Sequence, residues 1–222
     1  MSDLTILFIT ASNLPENWTK FHQEMLLKVI MDYPIITISR KPLDLGVNLI
    51  QEGEISASNV YYQMLRGAKL ATTPYVVIVE ADTLYPKEHF EFRPPLDVFA
   101  YNMNRLGLFT WGEPTYFWKN RVKNSTLIAP RELMIKALEE RYSKYPNGTP
   151  VSGELGRENV ENKLGVTVNK KMEFFTETSV ICIDHDFGLD HSARRHTKKM
   201  GPIKALSIPV WGEASKLIQH FK

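Results

Sequence analysis

The sequence predicts an α/β fold, a single domain over residues 1–222 with a parallel or mixed central sheet flanked by helices. Three observations predict it. The first eighty residues alternate strand, helix, strand, loop, helix, strand, the order expected of parallel strands joined by helical crossovers. The strand segments are short unbroken apolar runs, the pattern of strands buried on both faces. The 222 residues suffice for one large core, and no linker, repeat or low-complexity tract divides them.

The elements follow in order. "LTILFIT" (4–10) is too short and too rich in strand formers for a helix. In "NLPE", Asn13 can cap a helix, Pro15 suits its first turn and Glu16 stands where a capping-box acid belongs. Trp18, Phe21, His22, Met25, Leu26 and Val29 then recur at helical spacing, which makes His22 and Met25 structural. "PIITISR" (34–40) is a second strand, and "KPLDLGVNLIQEGE" a polar connection. "SASNVYYQMLRGAKLA" is helical, with Val60, Tyr61, Met64, Leu65 and Ala68 on one face, and "YVVIV" is a third strand. Beyond it, residues 97–111 read as two strands around a turn, "STLIAPRELMIKALEERYSKY" as a strand and a helix, and "GELGRENVENKL" as a polar helix. Residues 173–184 read as one strand, and "GEASKLIQHF" as a terminal helix.

Composition narrows the function. A formal net charge of +2 names no partner. No window reaches membrane-spanning length, so no membrane partner is expected. The N-terminus carries Asp3, lacks a basic region and reads as a strand, not a signal peptide. The lone Cys182 excludes an internal disulfide and suits a reducing compartment, so a cytoplasmic protein is expected. The sequons at Asn17, Asn124 and Asn147 then read as chance.

Open α/β sheets bind ligands beyond the carboxyl ends of their strands. Thr10, Ala11 and Ser12, then Ser39 and Arg40, then Glu80, Ala81 and Asp82 fall at that edge. A buried unpaired carboxylate is costly, so Glu80 and Asp82 belong at a mouth next to water or a cation. Capping of the following turn is the structural alternative. No GxGxxG follows the first strand, and no GxxxxGK[ST] occurs, which argues against a dinucleotide oxidoreductase and a P-loop NTPase. Two carboxylates with a hard divalent ion are another way to hold a nucleotide's phosphates.

The stretch "ASNVYYQMLRGAKLATTPYVVIVEADTLYP" resembles the core of family 2 glycosyltransferases of the GT-A fold, with "EAD" in place of the DXD motif. "ISRKPLDLGVNL", "GEISASNVYYQML" and "EADTLYPKEHF" resemble glycosyltransferases of bacteriophages and viral metagenomes, which would place the protein in a host cytoplasm. The resemblance covers about the first ninety residues. It implies a nucleotide-sugar-binding half (1–92), an acceptor-binding half (93–222), and transfer with inversion from a UDP-sugar, dependent on Mn²⁺ or Mg²⁺. By it, Glu80 lies near the ribose and Asp82 ligates the metal. Thr10, Ala11, Ser12, Arg40, Asn59 and Ala81 meet the nucleotide-sugar.

The resemblance also implies a catalytic base, for which Glu154 is the first candidate and Glu113 the second. Glu154 near a helix start also complements the helix dipole. A C-terminal histidine completes the metal shell in many relatives. His191 comes first for that role, then His185, with His196 also in reach. Arg194, Arg195, Lys198 and Lys199 offer phosphate contacts to donor or nucleic acid, or form a solvated loop. Trp111, Tyr116, Phe117 and Trp118 offer a stacking platform or core, and Trp111 is the acceptor-side candidate. The acceptor implied by the viral resemblance is a 5-hydroxymethylpyrimidine in DNA, with a polysaccharide or protein hydroxyl as competitor. The other classes are a sugar nucleotidyltransferase and a non-catalytic sugar- or nucleic-acid-binding module.

Overall fold

The computed structural model describes residues 2–118, 120–188 and 204–221. The alternation expected of the first half is present: β1 (Leu4–Thr10), α1 (Glu16–Val29), β2 (Ile35–Ser39), β3 (Val47–Ile50), α2 (Ala57–Leu70) and β4 (Tyr75–Glu80). The second half adds β5 (Thr83–Leu84), β6 (Val98–Asn102), β7 (Arg105–Phe109), β8 (Tyr116–Trp118), β9 (Leu127–Pro130), α3 (Arg131–Lys144), α4 (Glu158–Leu164), β10 (Lys170–Phe174), β11 (Val180–Asp184) and β12 (Lys204–Ala205). A short hairpin and a terminal helical turn end the described chain.

The main sheet has seven strands in the order β10-β6-β9-β4-β1-β2-β3. It is mixed: β1 runs parallel to β2 and β4, whereas β9 is antiparallel to both β4 and β6. A second sheet, β12-β8-β7-β11-β5, stands beside it. The chain is therefore α/β, with a mixed central sheet flanked by helices, as expected.

The apolar runs explain the layers. Leu7 and Ile9 of β1 and Val76 and Ile78 of β4 face the core that also holds Met64 and Leu65 of α2 and Leu138 of α3. Leu4, Ile6 and Phe8, with Val77 and Val79, face the opposite core with Leu26 of α1. Alternate residues point to opposite faces, so a strand covered on both sides must be apolar throughout. Each such side chain is worth about 1.5–3 kcal/mol when fully buried.

Four expectations change. The connection after β2 contains the edge strand β3, parallel to β2. Its burial is only partial, so its sequence carries little apolar signal. Gly46, at φ +69°, makes the turn into it, and a Cβ there would lie 2.3 Å from the Ile35 carbonyl. Residues 97–111 form two strands as expected, but β6 and β7 join different sheets. Residues 173–184 are not one strand. Their ends belong to β10 and β11, which also enter different sheets. Asn13 does not cap α1. The helix begins after Pro15, with no side-chain cap, and Asn13 donates to the Phe187 carbonyl at 3.1 Å. By contrast α2 has a side-chain cap, Ser56, whose hydroxyl accepts from the Asn59 N–H at 3.0 Å.

Candidate active site

At the carboxyl edge of β1 and β4 lies a cleft of about 530 Å³. Glu80, Ala81 and Asp82 line it together with Thr10 and Ala11 of the first-strand turn. Asp184 and His185, at the end of β11, form part of the same wall. The second sheet thus brings a late segment of the chain to the acids of the first.

The turn after Glu80 is held from several sides. Tyr85 Oη accepts from the Glu80 N–H at 3.0 Å, and Trp18 Nε1 donates to the Ala81 carbonyl at 2.8 Å. The Ile183 N–H donates to the Asp82 carbonyl at 2.8 Å, tying β11 to the motif. His22 is buried and its Nε2 meets the Thr83 carbonyl at 2.8 Å. Burial lowers its pKa to about 4, so it sits neutral beneath the turn, the structural role its spacing predicts.

The carboxylates themselves have side-chain partners. Lys123 Nζ lies 2.9 Å from Glu80 Oε2 and 3.9 Å from Asp82 Oδ2. Thr83 Oγ1 donates to Asp82 Oδ1 at 2.9 Å, and His185 Nε2 lies 3.5 Å from Asp82 Oδ2. About a fifth of each acid side chain remains exposed, 20% for Glu80 and 21% for Asp82, so this is a mouth rather than a sealed ion pair. Burial opposes the Glu80 charge, and although Lys123 favours it, the neighbouring Asp82 charge helps raise the Glu80 pKa. Burial also opposes the Asp82 charge, but Lys123 and the His185 hydrogen bond outweigh it and hold that carboxyl well below the usual range. For Lys123 too burial disfavours the charge, and Asp82 and Glu80 more than restore it, raising its pKa.

The divalent ion that the family resemblance implies does not fit the donors that the described residues supply. One oxygen of Glu80 is engaged by the Lys123 ammonium and one of Asp82 by the Thr83 hydroxyl. His185 Nδ1 accepts the Phe187 N–H at 3.1 Å, which leaves the imidazole proton on Nε2, pointing at Asp82. Ligation through Nε2 would need the other tautomer. Among the described residues, no group of three His, Cys, Asp or Glu side chains is placed to hold a metal ion.

The other predicted residues scatter. Ser12 adopts φ 54° and its hydroxyl accepts from the N–H groups of Arg40 and Lys41 at 3.2 and 3.3 Å, pinning the ends of β1 and β2 together. Arg40 donates to the Gly53 carbonyl at 2.5 Å. Asn59 donates to the carbonyls of Glu52 and Glu54 at 2.7 and 2.6 Å, bracing the loop before α2. Glu154 stands before α4 and accepts from Arg157 at 2.8 Å, outside the set of residues lining the cleft. Glu113 is exposed on the turn after β7. Trp111 stacks on Phe109 at 4.8 Å, and Phe109 stacks on Phe117 at 4.5 Å. Phe109 and Phe117 line the cleft, whereas Tyr116 is core. His191, His196, Arg194, Arg195, Lys198 and Lys199 lie outside the described residues.

Sequence reasoning missed Lys123, Arg121 and Asp184, all of which line the cleft. The only signal was the basic spacing in "NRVK" between two strands. Asp184 closes the stretch 173–184, whose apolar run gives its carboxylate no separate signal.

No protein-family model matches the sequence, and no curated protein matches it. Solved structures of similar layout include the apo form of the glycosyltransferase GlyE of Streptococcus pneumoniae TIGR4, at 10% identity and TM-score 0.43, over 78% of this chain and 46% of that one. A glycosyltransferase involved in glycosylation of the major capsid of PBCV-1 is similar at 12% identity and TM-score 0.44, over 99% of both chains. The mannosyltransferase PcManGT of Pyrobaculum calidifontis, in complex with GDP-Man and Mn²⁺, is similar at 13% identity and TM-score 0.46, over 87% of this chain and 59% of that one. The chain thus spans about half the length of the first and under two thirds of the third.

Proposed function

We propose that this protein is a glycosyltransferase that moves a sugar from a nucleotide-sugar, a UDP-sugar foremost, to an acceptor hydroxyl. The observation that carries the reading is the cleft at the carboxyl edge of β1 and β4, floored by Glu80 and Asp82 and walled by Arg121 and Lys123. A diphosphate needs fixed positive charge, and a ribose or sugar needs hydrogen-bond acceptors such as carboxylates. The cleft offers both. The family resemblance of residues 57–86 supports the same assignment, with residues 1–92 as the donor half and 93–222 as the acceptor half of one domain.

In this reading the acceptor oxygen attacks the anomeric carbon as the bond from that carbon to the diphosphate oxygen breaks. The diphosphate leaves with the electron pair, and the hydroxyl proton passes to a carboxylate, giving inverted configuration. Glu154 is the base by resemblance. Arg157, which now holds its carboxylate, would have to release it. Phe109 and Phe117 supply apolar surface against which a sugar or base can lie.

The acceptor we favour is a 5-hydroxymethylpyrimidine in DNA, from the viral resemblance and the basic stretch 194–199. A duplex acceptor would need its nucleotide flipped into the cleft. The test incubates the protein with a panel of UDP-sugars and hydroxymethylpyrimidine DNA, with Mn²⁺ and with chelator, and digests the DNA to nucleosides for mass spectrometry. A hexose or N-acetylhexosamine adduct is expected. Transfer to a glycan or protein acceptor, with no nucleoside adduct, would overturn the DNA assignment. No nucleoside diphosphate released in any arm would overturn the transferase reading.

A further inference from the structure

The acid pair of the cleft already holds a cation, and that cation is a side chain. Lys123 places its ammonium 2.9 Å from Glu80 and 3.9 Å from Asp82 while still lining the cleft, with 28% of its side chain exposed. Its backbone is fixed. The Lys123 carbonyl accepts from the N–H and the hydroxyl of Thr126, both at 3.0 Å, and closes the turn before β9.

A second charge stands behind it. Arg105 of β7 is fully buried, and its Nη2 donates to the Arg121 carbonyl at 2.9 Å. Its Nε and Nη1 are buried with no hydrogen-bond partner among the described residues. A buried guanidinium with idle donors is costly unless negative charge lies close by. The Glu80 carboxylate supplies it, being near enough for the Arg105 charge to favour its ionised form. Glu80 and Asp82 thus face two cationic side chains, and His185 adds an N–H rather than a lone pair. A divalent ion entering between the two acids would meet an ammonium in contact with its first ligand.

We propose that Lys123, backed by Arg105, stands in for the divalent ion: it neutralises the Glu80–Asp82 pair and offers its remaining N–H donors to the donor diphosphate, so that donor binding needs no metal. The diphosphate half of this inference rests on the transferase reading. The metal half does not. An ammonium carries three donors, and the Glu80 contact at 2.9 Å engages one of them. Arg121 on the same wall supplies a second cation suited to phosphate.

The experiment titrates MnCl₂ into the wild-type protein and into Lys123→Met by calorimetry, and measures UDP binding to both in chelator and in Mn²⁺. The wild type is expected to show no saturable Mn²⁺ site and to bind UDP equally in both buffers. Lys123→Met is expected to lose UDP affinity in chelator by about tenfold, the value of one charge-assisted hydrogen bond. It is also expected to gain a Mn²⁺ site on the freed carboxylates. Stoichiometric Mn²⁺ uptake by the wild type, or UDP binding that requires Mn²⁺, would overturn the proposal. If Lys123→Met does not fold, those two wild-type measurements decide alone. UDP binding in neither buffer would overturn the diphosphate half and count against the transferase reading. The Mn²⁺ titration would still support or overturn the metal half.

Discussion

Two carboxylate sites in this protein use the same chemical group in opposite ways. Glu161 of α4 is fully buried, and both its oxygens are consumed by its own neighbourhood. The Gly156 N–H and the Asn169 side-chain amide donate to Oε1 at 2.9 and 3.1 Å, and the Asn169 N–H donates to Oε2 at 2.9 Å. Backbone donors of this kind cannot leave, so Glu161 is a staple joining the loop before α4 to the strand that follows. Glu80 and Asp82 are held mainly by side-chain groups, those of Lys123, Thr83 and His185, and they face a cleft. Side-chain donors can turn towards a ligand. The difference teaches that burial and charge alone do not mark a functional acid. The nature of the donors, and the open volume beside them, do.

Glu154 tests that rule most severely, because its donor is also a side chain, Arg157, yet it lies outside the residues that line the cleft. Glu154→Gln should retain nucleotide-sugar binding and lose transfer by roughly 10²–10⁴-fold, the range for a lost general base. Single-turnover assays beside donor-binding titrations read both quantities. Full transfer in Glu154→Gln, with loss in Glu113→Gln, would move the role to Glu113.

Asp82→Asn comes next. It removes a charge opposite Lys123 and His185 and should cost roughly 10²–10³-fold in transfer, as when one preorganised electrostatic partner is lost. Its circular dichroism and unfolding midpoint should stay near those of the wild type, since the backbone bonds of the turn remain. A variant that unfolds would make Asp82 a staple like Glu161 and erase the contrast.

Glu161→Gln should do the reverse. Its amide would present N–H to N–H at one of the three contacts, costing about 1–3 kcal/mol in urea unfolding. Transfer per folded molecule should be unchanged. A selective loss of transfer would give Glu161 a part in the reaction.

A last effect concerns pH. Burial lowers the pKa of His22 to about 4 and of His89 to about 3, against 6.5 for the free side chain. The unfolded chain binds protons below pH 6.5 that the folded chain refuses until about pH 4 and below, so stability is full above 6.5 and falls through that window. Urea midpoints measured across it should fall with pH, and His22→Gln should flatten the slope. An unchanged slope would mean that His22 takes up its proton in the folded state.

The first half was legible because burial on both faces imposes a continuous apolar run, as in β1 and β4, and one-face burial imposes helical spacing, as in α2. Strand β3 was not, since a short, half-exposed edge strand needs no apolar pattern. The break between β10 and β11 was hidden by Phe174 and Val180 at their facing ends, which read as one apolar stretch around a polar gap. Glu80 and Asp82 were legible as a pair because residues i and i+2 share a side. Lys123 was not, because what gives it meaning is a contact made across the fold, which sequence spacing does not record. The helix cap at Asn13 failed for a local reason: Pro15 sets the start of α1, and the Asn13 amide finds the Phe187 carbonyl instead.

The central claim, that the cleft between the ends of β4 and β11 receives the nucleotide-sugar, is most directly tested by hydrogen exchange with and without a UDP-sugar. Slowed exchange is expected at residues 80–84 and 120–124 and in the turn 10–13, with little change at Glu161 and along α4. Protection confined to α4, or no protection anywhere at saturating donor, would contradict it.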